Sequence, residues 1–296
     1  MTDVSIKRRA LARRLSSAAN QSVAQALSRE IAEGSVAHRI AMTGPPGAGK
    51  STLTGVLARE RLGRPGTIGI LAIDPTSPVS GGAILGDRIR MEALADEARI
   101  YIRSVASRSA TGGLADNLPD LLDVFDAEGF ADVFVETVGV GQAEYEVRHF
   151  VDTTVLVLLP GAGDQIQMMK SGIIEAADIF AVNKSDLAGS DRLAAELRSV
   201  TKLAGPARGG WTPPVVAVSA TTGSGVADLS AAIDAHAHWQ ENAPNAEQRR
   251  AARRAGHVRK LVERRLGEIL GPMSPESMRR PLSEIYADVV ARLAIA

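Results

Sequence analysis

Gly44–Thr52 reads GPPGAGKST. The stretch fits G-x-x-x-x-G-K-[ST] at every fixed position and lies between a β-rich run, His38–Thr43, and a helix-like one, Ser51–Arg61. In that setting Gly44, Pro46, Gly47, Ala48 and Gly49 form a loop whose backbone N–H groups can wrap a phosphate chain, while the following helix points its positive end at the same place. Lys50 then reaches the outer phosphates and Ser51 offers a hydroxyl to Mg²⁺. A glycine-rich strand-to-helix turn of no further purpose has no need of Lys-Ser directly after Gly49.

Working outward, the chain alternates strand-like and helix-like runs from His38 to Ala220. Strands are expected at His38–Thr43, Thr67–Asp74, Ile100–Ser104, Asp132–Thr137, Thr153–Leu159, Asp178–Asn183 and Val215–Ser219, most of them nearly continuous in apolar residues. Such runs suit strands covered on both faces, and the intervening helices, for example Ser51–Arg61, Gly86–Glu97 and Arg192–Leu203, make the unit βαβ. The expected fold class is α/β, a doubly wound and mostly parallel sheet with its site at the strand C-termini. Val226–Ala237 reads as the closing helix and Glu241–Glu247 as a linker. Beyond it come an Arg-rich helix, Gln248–Arg265, with Val258, Leu261, Val262 and Leu266 on one stripe, and a second helix, Pro281–Ile295. Three parts are therefore expected: a helical segment at 1–36, the α/β domain at 37–240 and a helical extension at 241–296.

Composition removes several classes of function. Lys+Arg and Asp+Glu both number 34, so no global field favours nucleic acid or an acidic membrane as partner. The chain has no Cys, which excludes disulfides, thiolate metal sites and Cys nucleophiles. No apolar run approaches the roughly 18 residues that cross a bilayer, and a cytoplasmic protein is expected. Ile6–Ser17 is Arg- and Ser-bearing like a transit peptide, but Leu11 and Leu15 at i, i+4 predict an amphipathic helix. Basic residues are overwhelmingly Arg; Lys occurs only at 7, 50, 170, 184, 202 and 260. A Lys retained in such a chain marks a place that wants a compact point charge.

Asp178–Asp186, DIFAVNKSD, puts N-K-x-D at the end of a buried strand. A carboxylate at Asp186 accepts from the N1–H and exocyclic amine of guanine, whereas adenine presents the opposite pattern and leaves the acid unmatched. Asn183 braces neighbouring loops and Lys184 lies along the base. Asp186 can equally cap a helix. Val218–Gly223, VSATTG, follows the next strand and offers Ser219 and the backbone N–H of Ala220 to the guanine carbonyl.

Phe134–Gln142, FVETVGVGQ, has too few glycines for a dinucleotide loop. At the end of a strand in a phosphate-binding sheet, Glu136 takes the acid position that holds Mg²⁺, and Gly139 and Gly141 let the backbone approach the γ-phosphate. Asp74, ending a strand, and Asp87, opening the next helix-like run, can complete the shell; each also suits a cap or turn. Gln142 is a candidate for orienting water. Pro160–Gly172, PGAGDQIQMMKSG, is a second glycine-rich element, or an ordinary loop with a helix cap.

Taken together and in this order, GPPGAGKST, DPTSPVSGGAILGDRIRM, VETVGVGQAE, PGAGDQIQMMKSGI and NKSD resemble the methylmalonyl-CoA mutase-associated GTPases. These are G proteins of the class that also holds the signal-recognition-particle GTPases and nickel-enzyme chaperones, and the resemblance runs from about Arg9 to Ala237. It implies binding of GTP/GDP with Mg²⁺, GTP hydrolysis, and assistance to adenosylcobalamin loading and protection of a cobalamin-dependent acyl-CoA mutase. Lys50, Ser51 and Thr52 would serve the phosphates and the metal; Asp74, Asp87 and Glu136 the metal shell. Val138, Gly139, Val140, Gly141 and Gln142 would form a nucleotide-sensing switch, and Gly161–Lys170, with Asp164, an additional switch reporting to the mutase. Asn183, Lys184, Asp186 and Ala220 would read guanine. The resemblance further implies homodimers made through the C-terminal helices, with neither nucleic acid nor membrane as partner. Two alternatives share the core: a nickel-enzyme maturation GTPase, and an RNA- or ribosome-targeting GTPase prompted by Arg249–Arg265, a run read here as the solvated face of a dimer helix. The five His are scattered singly, with His236 and His238 read as surface residues of a helix.

Overall fold

The computed structural model describes residues 3–28, 36–74, 94, 96–107, 115–139, 146–161, 177–204, 210–243 and 246–293. Seven strands, β1 (His38–Thr43), β2 (Ile68–Asp74), β3 (Ile100–Ala106), β4 (Asp132–Glu136), β5 (Thr153–Leu158), β6 (Ile179–Val182) and β7 (Val215–Ala217), form one parallel sheet in the order β3-β2-β4-β1-β5-β6-β7. β2, β4, β5 and β6 are buried along their whole length. Their unbroken apolar runs follow from this, because helices cover both faces.

The helices are α1 (Asp3–Asn20), α2 (Val23–Leu27), α3 (Lys50–Arg61), α4 (Leu118–Ala127), α5 (Ser190–Ala204), α6 (Val226–Asn242), α7 (Ala246–Leu270) and α8 (Leu282–Leu293). On one face Leu11 and Leu15 of α1 and Leu118, Leu121, Leu122 and Phe125 of α4 pack against Ala41, Leu71, Ile73, Val133 and Val135. On the other, Leu53 and Leu57 of α3 and Val226, Leu229 and Ile233 of α6 cover Ile40, Ile70, Phe134, Val155 and Val157. Each such side chain contributes about 1.5–3 kcal/mol when fully buried. The i, i+4 pair in α1 is thus a core contact.

The strands fall where their apolar runs predict. The helix expected at Gly86–Glu97 lies mostly outside the described residues, and α4 forms where the sequence reading named no element. α6 runs on to Asn242 and α7 begins at Ala246, so both intrude on the expected linker.

α7 differs from expectation in what it turns inward. Its stripe Arg253, Gly256, His257, Lys260 and Arg264 faces the α/β domain, and Arg253 pairs with Asp152, Lys260 with Glu146, and Arg264 with Asp120. These three bases are not solvated, whereas Arg250, Arg254 and Arg259 of the same run are exposed. The apolar stripe is divided: Val258 and Val262 stay 58% and 47% exposed while Leu261 and Leu266 are half-buried, and on α8 Leu282 and Tyr286 reach 84% and 73%. Ile269 of α7 with Ile285 and Val289 of α8 make a separate small core.

At the N-terminal rim of the sheet, buried charges pair with one another. Arg61, closing α3, donates from Nε to Asp132 Oδ2 at 2.8 Å and from Nη1 to Asp234 Oδ1 at 3.0 Å. The Asp132 carboxyl would be raised by burial, but hydrogen bonds from His38 and Arg61 outweigh this and hold it at about 2. Arg39 joins Asp126 at 2.5 Å and Asp123 at 3.1 Å. Thr153 Oγ1 sits between His38 Nε2 at 3.0 Å and His236 Nδ1 at 2.9 Å. His236 is therefore not a surface residue: it stacks on Trp239, and burial, with the positive charge of His38 and Arg249 next, pushes it down to about 3. Its partner in the sequence, His238, is exposed as expected. Positions two apart on a helix face different ways.

Candidate functional site

The C-terminal ends of β1, β4 and β2 stand side by side, since Met42 is opposite Glu136 and Ala72 is opposite Glu136 on the other side. The Gly44–Gly49 loop leaves β1 at this rim and runs straight into α3. Gly44 has φ +134, and a Cβ there would come 2.1 Å from the Val157 carbonyl oxygen of β5. Only glycine lets the loop bend this tightly over the neighbouring strand. Pro46 and Gly47 are exposed at the loop tip, whereas Ala48 is buried and Gly49 is half-buried. Lys50 Nζ arches back over the loop, donating to the carbonyls of Gly44 at 2.8 Å and Pro45 at 3.2 Å. Thr52, one residue past Ser51, is exposed.

Ser51 Oγ donates to Glu136 Oε1 at 2.5 Å across 85 positions of sequence. Both side chains are buried, as is that of Asp74, which ends β2 at 1% exposure. Thr137 Oγ1 donates to Thr43 Oγ1 at 3.2 Å, tying the chain leaving β4 to the end of β1. Val138 is half-buried. Gly139 has φ +91, and a Cβ there would lie 2.5 Å from both the Gly44 oxygen and Lys50 Nζ. The 136–139 stretch is therefore pressed directly on the phosphate loop. A hydroxyl in contact with one carboxylate and a second carboxylate at the next strand's end form an all-oxygen donor set, which is what a hard Mg²⁺ ion requires.

The N-K-x-D loop joins the same rim. Asn183 Nδ2 donates to the Ala48 carbonyl at 2.8 Å, and its Oδ1 accepts from the Ala220 N–H at 3.2 Å. One side chain thus ties the phosphate loop to the segment after β7. A guanine carbonyl approaching the Ala220 N–H would compete with that bond. Lys184 has φ 57, the one non-glycine with positive φ among the described residues. It is held there because Asn183 N–H bonds the Leu158 oxygen and Ser185 N–H bonds the Val218 oxygen. Asp186 is exposed, and a hydrogen bond from the Ser219 hydroxyl is the first cause keeping its carboxyl below the usual range. Ser219 itself is buried.

Gly161 is exposed just past β5, where Pro160 lies 3.7 Å from the position a Gly189 Cβ would take. Asp87, Val140, Gly141, Gln142, Asp164 and Lys170 lie outside the described residues. The structure thus brings together Gly44–Ser51, Asp74, Glu136–Gly139, Asn183, Lys184, Asp186, Ser219 and Ala220 along one rim. The sequence reading did not find the Thr137–Thr43 link; a Thr beside each motif on adjacent strands was its only trace.

A phosphate loop feeding a helix, an acid at the end of β4 bonded to the loop's own serine, and an N-K-x-D loop tied to the phosphate loop define a P-loop GTPase. The chain belongs to the family described as methylmalonyl-CoA mutase-associated GTPase MeaB, whose family model matches residues 9–271. It is a GTPase of that family and binds GTP and GDP. A Pyrococcus horikoshii protein whose name describes it as a GTPase is 43% identical over 242 residues, 78% of this chain and 76% of that one. The mouse protein named methylmalonic aciduria type A homolog, mitochondrial, is 37% identical over 194 residues, 64% of this chain and 47% of that one. The crystal structure of a protein called LAO/AO transport system kinase superposes with a TM-score of 0.64, covering 94% of this chain and 97% of that one. At 24% identity, that last likeness concerns the fold alone. Among the described residues no helix is long and apolar enough to cross a membrane.

Proposed function

We propose that this GTPase assists adenosylcobalamin loading and protection of a cobalamin-dependent acyl-CoA mutase, with methylmalonyl-CoA mutase the first candidate. The family's description supports this, as does the name of the mouse relative. The protein would work by contact with the mutase in the cytoplasm, its affinity set by the bound nucleotide.

Within the site, the observation that carries the mechanism is the 2.5 Å bond from Ser51 Oγ to Glu136 Oε1, with Gly139 against Lys50. Backbone N–H groups of the Gly44–Gly49 loop and the N-terminus of α3 hold the phosphates, and Lys50 moves its ammonium from the loop carbonyls to the outer phosphate oxygens. Ser51, Glu136 and Asp74, with Asp87, would hold Mg²⁺, which would neutralise charge developing on the phosphate oxygens. Asp186 accepts from the guanine edge, with Asn183, Lys184, Ser219 and Ala220 shaping the base pocket. Water attacks the γ-phosphorus and the bond to the bridging oxygen breaks, giving GDP and phosphate; Gln142 is the candidate that orients this water. Positioning and fixed charge supply nearly all of the acceleration. Loss of the γ-phosphate releases Val138–Gln142, and Gly161–Lys170 passes the change to the mutase.

The exposed Val258 and Val262 of α7 and Leu282 and Tyr286 of α8 offer a surface for a second copy, which supports a homodimer built by the 241–296 extension. Sedimentation velocity on the full chain tests it, and a monomer at micromolar concentration would rule it out. Arg253, Lys260 and Arg264, being engaged with carboxylates of the domain, are not presented to RNA. The functional test is capture of purified methylmalonyl-CoA mutase by the protein loaded with GDP or with a non-hydrolysable GTP analogue. Binding that differs between the two nucleotides supports the reading; no binding in either state defeats it.

A further inference from the structure

Of the six lysines, Lys260 belongs to no nucleotide motif, yet it is the one Lys on the Arg-rich helix α7 and is only 8% exposed. Its Nζ lies 3.1 Å from Glu146 Oε2 and 3.1 Å from Glu263 Oε2. Glu146 leads directly into the single 3-10 turn Val147–His149, whose Val147 is fully buried. One turn back on α7, Gly256 brings the helix down on that turn: a Cβ there would lie 3.5 Å from His149 Cβ and from Phe150 Cε1. The chain that leaves β4 through Glu136 is therefore anchored twice. Gly139 is seated on the phosphate loop, and Glu146 is seated on the C-terminal helix, with residues 140–145 between them.

Arginine serves elsewhere on this face of α7, where it meets Asp152 and Asp120. A planar guanidinium does not replace a compact ammonium held between two carboxylates from different directions. Burial alone would lower the Lys260 pKa, but Glu263 and Glu146 raise it above the ordinary lysine value, so the charge is kept.

We propose that Lys260 is a positioning residue for GTP hydrolysis: by holding Glu146, the C-terminal helix α7 fixes the far end of the stretch whose near end meets the nucleotide. The proposal rests on Glu136–Gly139 being part of the GTPase site. It makes the hydrolysis rate respond to anything that shifts α7, including a partner seated on the C-terminal helices. Contacts of this indirect kind change coupling by factors of roughly 2–30.

The test uses the full chain, steady-state GTP hydrolysis, and GDP affinity measured with a fluorescent analogue. Lys260→Met keeps the aliphatic stem and is expected to lower kcat about 5–20-fold, in the range of such couplings, with KM and GDP affinity within about 2-fold of the parent. Lys260→Arg restores part of the rate. Glu146→Gln, which cuts the same contact from the other side, gives a similar loss, and adding it to Lys260→Met causes little further loss. Arg264→Gln breaks the pair with Asp120 on the same helix and is expected to lower the melting temperature while leaving kcat unchanged. An unchanged kcat in both Lys260→Met and Glu146→Gln overturns the proposal, as does an equal kcat loss in Arg264→Gln. Glu136→Gln is measured in parallel: if it hydrolyses GTP normally, the site reading itself falls and the proposal with it. If Glu136→Gln is impaired and Lys260→Met is not, only the proposal fails.

Discussion

The two rims of the sheet carry buried charge in opposite ways. At the N-terminal rim, Arg61 pairs with Asp132 and Asp234 and Arg39 with Asp123 and Asp126, and His38, Thr153 and His236 form a closed polar chain. At the C-terminal rim, an ammonium rests on backbone carbonyls, one carboxylate accepts from a serine hydroxyl, and a second buried carboxylate, Asp74, ends the adjacent strand. Charge matched within the protein holds the ends of strands and helices in place. Charge arranged around backbone groups is available to a ligand that brings its own. One βα unit therefore has a structural end and a chemical end, and α3 joins them, with Lys50 as its first residue and Arg61 as its last.

Removing a matched charge should be the more damaging change to stability. Arg61→Met leaves the buried Asp132 with His38 as its partner and is expected to cost about 3 kcal/mol, the low end of the range for breaking a buried pair from one side. Urea unfolding would read it, with nucleotide affinity of the folded fraction unchanged. A loss of GDP binding in that folded fraction would break the division between the rims.

Lys50→Met tests the other end of the same helix. Loss of a preorganised cation at the phosphates is expected to lower kcat/KM roughly 10²–10³-fold, while the unfolding midpoint stays near that of the parent. Comparable destabilisation in Lys50→Met and Arg61→Met would mean the two charges do the same job.

The smallest effect sharpens the contrast through pH. Folded His236 takes up a proton only near pH 3, its affinity lowered by burial. An unfolded His does so near about 6.5, so the unfolded chain binds more protons between these values and stability falls as pH drops through that window. From pH 7 to pH 5 this group should remove about 2 kcal/mol. His236→Gln should abolish that share of the acid sensitivity, measured as urea midpoints at the two pH values. An undiminished fall would place the sensitivity elsewhere.

How much of this was legible depends on how local each cause is. Strands such as Thr153–Leu158 and Ile68–Asp74 announce themselves by continuous apolar residues, and the phosphate loop by consecutive spacing, so the fold and most of the C-terminal rim could be read directly. The matched rim could not. Arg61 meets Asp132 and Asp234 at separations of 71 and 173 residues, which leave no periodic trace. His236 was misread together with His238 as a surface residue, whereas Val226, Leu229, Ile233 and His236 form the inward stripe of α6. In α7 the basic run suggested a solvated face, but the acids at Asp120, Glu146 and Asp152 draw Arg264, Lys260 and Arg253 inward. Only the assembled domain puts those acids together.

The strand order also has a bearing on synthesis. β1 lies between β4 and β5, and β2 reaches β1 only through β4, so the phosphate-binding strand has no hydrogen-bonded neighbour until residues 132–136 have been made. A nascent chain stopped before Asp132 carries its complete GPPGAGKST sequence on a strand with both edges open. The central sheet must therefore assemble late, around β4, and the ribosome holds almost half of this protein before any nucleotide can be gripped.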